Sequence, residues 1–213
     1  MSTTFEGDIL KLNFAGHEYF ANEPFTFTCS YETKSRIQFL EPYTGDVFLD
    51  VGACVGSWSI PASFNFKQVY AFEPNEEALV FLRTHIGMNK VKNIKIVESL
   101  ISSEDAPPLN YDGWQIYPGP GATPSVTIDA FRESNKLKVD YIKIDVEGHE
   151  LEVLSGARQT LKQDRPRVMV EIHCFLGISM NDVFALMLKA NEDYIGKVLW
   201  NSGNYCHVLF EVL

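Results

Sequence analysis

A chain of 213 residues with 46% hydrophobic and 22% charged side chains has the make-up of one globular domain with a sizeable core, which excludes a disordered chain. No apolar run approaches the roughly 20 residues that span a bilayer, and residues 1–6 (MSTTFE) lack a basic stretch leading into an apolar one, so neither a membrane anchor nor a secretory leader is predicted and a cytoplasmic protein is expected. The formal net charge of −10 repels phosphate backbones and anionic membranes, so neither a nucleic acid nor a membrane is expected as a partner.

The N-terminal stretch, 1–44, mixes short β-like runs (10–14 and 25–28) with polar residues and is read as an extension of a main domain over 45–213. Strands are predicted at 47–49, 69–72, 94–97, 139–144 and 167–172, alternating with helices at 57–66, 76–88, 127–135, 150–162 and 180–190. Asn75 is placed to cap the helix that follows it. Residues 104–124 hold five of the ten prolines and three glycines, which restricts them to a loop or hairpin. Two C-terminal strands, 197–200 and 205–212, flank the turn-rich Asn201-Ser202-Gly203-Asn204. This alternation predicts a parallel sheet with helices on both faces, made mixed by the closing hairpin. The four cysteines, Cys29, Cys54, Cys174 and Cys206, form no C-x-x-C pair and are read as free thiols.

In such sheets ligands sit beyond the carboxyl ends of the strands, and those ends carry Asp50, Glu73, Ser99, Asp145, Glu171 and His173. After the first of these strands runs Asp50-Val51-Gly52-Ala53-Cys54-Val55-Gly56. Gly52 permits a tight turn and Gly56 a close helix start. The spacing is not that of the dinucleotide fingerprint. A carboxylate just before the glycines repels a pyrophosphate and suits the cationic amino acid end of S-adenosylmethionine (SAM). Glu73, about 20 residues on, is placed to accept hydrogen bonds from ribose hydroxyls, and the bland alternative is a carboxylate at a helix N-terminus. Asp145 ends the fourth strand of the domain, beside the expected sulfonium. Glu147 follows on the same side if the strand continues that far, Gly148 allows the turn, and Glu150 favours the helix start. Alternation puts Glu171 and His173 on one face. His173 could be a general base, could hold a divalent cation with Asp145 and Glu171, or could order the cleft wall by hydrogen bonding.

The segments VFLDVGACVG, VYAFEPN, SVTIDAF, YIKIDVEGHELEVLSGA and RVMVEIH, in this order over 46–173, resemble the FkbM family of SAM-dependent methyltransferases. The resemblance implies a Rossmann-like class I methyltransferase fold, α/β, with a seven-stranded mostly parallel sheet and a C-terminal antiparallel hairpin. It implies S-adenosyl-L-methionine as cofactor and O-methylation of a small-molecule or sugar hydroxyl. By position, Asp50, Gly52, Ala53 and Gly56 match the SAM glycine loop, Glu73 with Pro74 the ribose acid, and Ser99 and Leu100 the adenine-side loop. Asp145, Glu147, Glu171 and His173 match the acidic motifs near the methyl group, and Glu32 matches a Tyr-Glu pair that precedes the first strand. The chain departs from the family in carrying Cys54 where Asn is frequent and Ser103 where Asp is frequent.

The implied reaction is an in-line displacement at the SAM methyl, with His173 or Asp145 removing the hydroxyl proton. Rival readings are a non-catalytic SAM-binding or scaffold protein of the same fold and an RNA ribose methyltransferase. The latter wants a second lysine beside Asp145, and only Lys143 is there. An NAD(P) oxidoreductase lacks its phosphate fingerprint here.

Overall fold

The computed structural model describes residues 2–6, 9–14, 17–22, 43–106, 108–111, 116–119 and 123–212. The chain divides into two compact units, 1–97 and 98–213, taken in turn. The expected strand at 25–28 and Cys29 lie outside the described residues.

The first unit opens with β1 (Ser2–Glu6), β2 (Ile9–Phe14) and β3 (His17–Asn22), an antiparallel three-stranded sheet in that order. It continues as β4 (Gly45–Val51), α1 (Ser59–Asn65), β5 (Phe66–Phe72), α2 (Glu76–Met88) and β6 (Ile94–Val97). β4, β5 and β6 pair in parallel, with Leu49 opposite Tyr70 and Tyr70 opposite Lys95. Val47, Phe48 and Leu49 are all buried, the continuous apolar run of a parallel strand covered on both faces. Asn75 caps α2 by accepting the Glu77 and Ala78 N–H groups, and Glu76 and Glu77 sit where the helix dipole favours acids. α2 buries Leu79 and Leu82 against Ala53 and Ala71, each worth about 1.5–3 kcal/mol. Asn89 then holds β3 to α2: its amide donates to the Phe20 carbonyl at 2.7 Å and accepts the Phe20 N–H at 2.8 Å.

The second unit comprises β7 (Leu100–Ile101), β8 (Leu109–Tyr111), β9 (Ile116–Pro118), β10 (Ser125–Val126), α3 (Ile128–Asn135), β11 (Tyr141–Ile144), α4 (Glu150–Ser155), α5 (Arg158–Gln163), β12 (Arg167–His173), α6 (Met180–Ala190), β13 (Tyr194–Asn201) and β14 (Tyr205–Val212). β8 and β9 form the hairpin expected of the proline-rich stretch. β11 and β12 are parallel, whereas β14 runs antiparallel to both β12 and β13.

The main sheet has seven strands in the order β13-β14-β12-β11-β4-β5-β6, so the mixed, mostly parallel Rossmann-like sheet read from the sequence is the fold observed. Two local expectations are corrected. The helix expected over 150–162 breaks into α4 and α5 at Gly156-Ala157, and Gly156 passes so close to the Ser102 carbonyl oxygen that a Cβ there would clash with it. The strand expected over 139–144 begins at Tyr141, and the Val139 N–H goes instead to the Asp164 carboxylate at 2.8 Å.

Candidate active site

The first unit carries the glycine turn. After β4 the chain reverses through Gly52, Cys54 and Gly56, all left-handed, with φ of 76°, 48° and 91°. The φ of 91° at Gly56 favours glycine, and a Cβ there would also press on Leu82 Cδ1, at 2.7 Å. Cys54 accepts the same left-handed backbone with a side chain, where Asn is better tolerated. The Phe72 carbonyl accepts the Gly52 and Ala53 N–H groups at 3.1 and 2.9 Å. Glu73, buried at the end of β5, accepts the Cys54 N–H at 2.7 Å through Oε2 and the Asn75 N–H at 2.8 Å through Oε1. The protein's own carboxylate thus takes a turn N–H of the kind that faces pyrophosphate in dinucleotide enzymes. Asp50 is fully buried and accepts the Ser59 hydroxyl at 2.5 Å. Pro74 is half-buried beside Glu73. Glu32 lies outside the described residues.

In the second unit, Ser99 is buried with its hydroxyl 2.9 Å from the Pro124 carbonyl, which also accepts the Leu100 N–H at 2.8 Å. The polar centre of this unit is His173, 1% exposed at the end of β12. Its Nδ1 lies 2.6 Å from Glu150 Oε1, and its Nε2 lies 3.2 Å from Glu147 Oε2 and 3.8 Å from Asp145 Oδ1. Burial by itself lowers the imidazole pKa. Hydrogen bonds to Glu147 and Glu150, with the charges of Asp145 and Glu150, outweigh it and raise the value to about 11. His173 is therefore an imidazolium at neutral pH, with both N–H groups directed at carboxylates. Lys143, also buried, places its ammonium 3.6 Å from Asp145 Oδ2. Glu171 Oε1 lies 3.3 Å from Nε2 of His207, its register partner on β14.

Asp145, Glu171 and His173 each bring one potential ligand atom within 4.8 Å of the others, a set that suits a divalent cation only when His173 is neutral. His173 also has two carboxylate partners in Glu147 and Glu150 without any such ion.

Four of the residues singled out from the sequence thus share one cluster, but Glu147 reaches it by another route. β11 stops at Ile144, so strand alternation does not extend to residue 147; Glu147 (φ 49°) and Gly148 (φ 94°) form a left-handed turn that brings the carboxylate back to His173. Glu150 stands in the first turn of α4 as expected, where its carboxylate accepts the Gly148 N–H at 3.1 Å, but it is also fully buried and bonds His173, which the local pattern did not indicate. Its D-V-E-G-x-E spacing was visible, but not that His173, 23 residues away, would meet it. His207 has no local signal at all, because only the register of β12 with β14 sets it opposite Glu171.

Comparison with known proteins accords with this architecture. A hexuronic acid methyltransferase, AglP, from Haloferax volcanii is 32% identical over 163 residues, covering 73% of this chain and 66% of its own length. The crystal structure of methyltransferase FkbM from Methylobacillus flagellatus superposes with a TM-score of 0.58 at 18% identity, over 78% of this chain and 43% of that one. M. jannaschii TYW2 in complex with AdoMet gives a TM-score of 0.53 at 17% identity, over 99% and 89% of the two chains. The chain thus spans just under two thirds of the length of the curated relative and less than half of that of the FkbM structure. With residues 50–194 matching the methyltransferase FkbM domain, the chain belongs to the FkbM methyltransferase family.

Proposed function

We propose that this chain is a SAM-dependent O-methyltransferase acting on a hydroxyl of a small molecule, with a sugar as the favoured class. Residues 45–213 form the transferase domain and 1–44 an extension of it. The observation that carries the cofactor assignment is the Glu73 carboxylate on the Cys54 N–H. A turn closed by an internal acid, with Asp50 buried at its start, disfavours a diphosphate and suits a cationic amino acid and a ribose diol. Family membership and an AdoMet-bound structural neighbour support the same reading. A curated relative named for hexuronic acid supports a carbohydrate acceptor. The three described cysteines are free thiols, which suits the reducing cytoplasm, and among the described residues no helix is long and apolar enough to cross a membrane.

SAM, when bound, supplies a methyl group already activated on a sulfonium. Asp50 holds the amino acid end, Glu73 the ribose, and Ser99 with Leu100 the adenine side. The acceptor hydroxyl must lose a proton as the methyl transfers. His173, kept as an imidazolium, has no lone pair to take it, so the proton passes to a carboxylate of the pair Asp145 and Glu147. Glu150 and His173 then act as positioning residues that hold those carboxylates in place.

The test is calorimetric titration with SAM and S-adenosylhomocysteine of the wild type, Asp50→Ala and Glu73→Gln. Micromolar binding that weakens by about tenfold or more in each variant supports the reading. A folded wild type that binds neither compound overturns it in favour of a scaffold protein of the same fold.

A further inference from the structure

The His173 cluster has an aromatic margin that its ion pairs do not explain. Phe175 stands in the short 3-10 turn after β12 and is 51% exposed. Its ring centroid lies 5.0 Å from that of Tyr205, and both rings meet His173 edge-on, at 6.0 and 5.5 Å. Tyr205 is the register partner of His173 across β12 and β14. The Phe175 N–H donates to the Asn204 carbonyl at 3.2 Å, tying the turn to the C-terminal hairpin. The backbone beneath the ring is thus anchored, and the ring packs on His173 and Tyr205 while the residue stays about half exposed.

The turn that carries Glu147 packs against the same segment, since a Cβ on Gly148 would lie 3.1 Å from Leu176 Cδ1. Glu147 is itself half-exposed, with its carboxylate on His173 Nε2. An exposed, backbone-anchored aromatic corner thus adjoins a row of carboxylates. That pairing matches the two chemistries of a pyranose: one ring face of C–H groups that stacks on aromatic rings, and a rim of hydroxyls that donate to carboxylate oxygens.

We propose that the exposed ring of Phe175, backed by the tilted Tyr205 ring, is a stacking platform for a pyranose ring and that Glu147 accepts hydrogen bonds from its hydroxyls. The proposal rests on the carbohydrate reading above and adds to it the residues that select a ring. An open-chain polyol offers the same hydroxyls but no flat C–H face, so the platform discriminates against it.

Saturation-transfer NMR on the full chain tests this with methyl β-D-glucuronide as probe and D-gluconate as the open-chain control. The expected result is saturation concentrated on the C–H protons of one ring face. Phe175→Ala weakens glucuronide binding by about tenfold, Phe175→Trp preserves it, and gluconate responds alike in all three proteins. Because Phe175 is exposed, the variants keep their fold, and calorimetric affinity for S-adenosylhomocysteine equal to that of the wild type verifies it. Equal glucuronide affinity in wild type and Phe175→Ala overturns the platform while leaving the methyltransferase reading intact. A wild type that binds S-adenosylhomocysteine but no pyranoside overturns the platform and the carbohydrate acceptor together. Phe175-dependent glucuronide binding in a protein that binds no S-adenosylhomocysteine sustains the platform and overturns the cofactor assignment.

Discussion

His173 shows how a single residue is set by its neighbours. With a folded pKa of about 11 against an ordinary 6.5, the folded protein holds its proton more tightly than the unfolded chain. The stability that this supplies is complete below pH 6.5 and is lost as pH rises towards about 11. The urea midpoint of the wild type is therefore expected to fall between pH 7 and pH 10 more steeply than that of His173→Gln (about neutral to mildly alkaline conditions, where unfolded His is already deprotonated). Parallel slopes would show that the imidazole is not held protonated. Glu150→Gln removes a charged partner from a fully buried hydrogen bond and should cost about 1–3 kcal/mol in the same assay. Cys54 poses a smaller question of backbone. At φ 48° a side chain other than Asn is disfavoured, so Cys54→Asn is expected to stabilise by about 1 kcal/mol, read as a raised Tm.

At the scale of elements, the local signals that worked were those with a local cause. Asn75 before an apolar 3.6-residue period became a cap with two accepted N–H groups, and α2 starts and stops where the pattern placed it. The α6 pattern held in the same way. The break between α4 and α5 was not legible because nothing in residues 150–162 except one glycine marks it, and what makes that position glycine is the Ser102 carbonyl, distant in sequence. Gly156→Ala places a methyl group on that backbone oxygen and is expected to destabilise by about 1–3 kcal/mol, measured by thermal unfolding. A neutral result would mean that the two segments can separate without cost.

For the whole molecule, charge and sheet order are the relevant quantities. At a net charge of −10 the protein is expected to pass through a heparin column unretained at low salt, and retention would revive the RNA reading. The alternation of strands and helices and the hairpin signal at Asn201-Ser202-Gly203-Asn204 determined the fold class from the sequence alone, because strand and helix periods and turn chemistry act over a few residues, while the family came from the resemblance of five motif segments over 46–173. Asp50, Glu73, Asp145, Glu171 and His173 were singled out for the same reason: each lies at or beside the carboxyl end of a strand of recognisable pattern. The partnership of His173 with Glu150, the return of Glu147 through a left-handed turn, and the setting of His207 and Tyr205 opposite Glu171 and His173 were decided only by the tertiary structure. These depend on which strands lie side by side and in what register, and no local period carries that information.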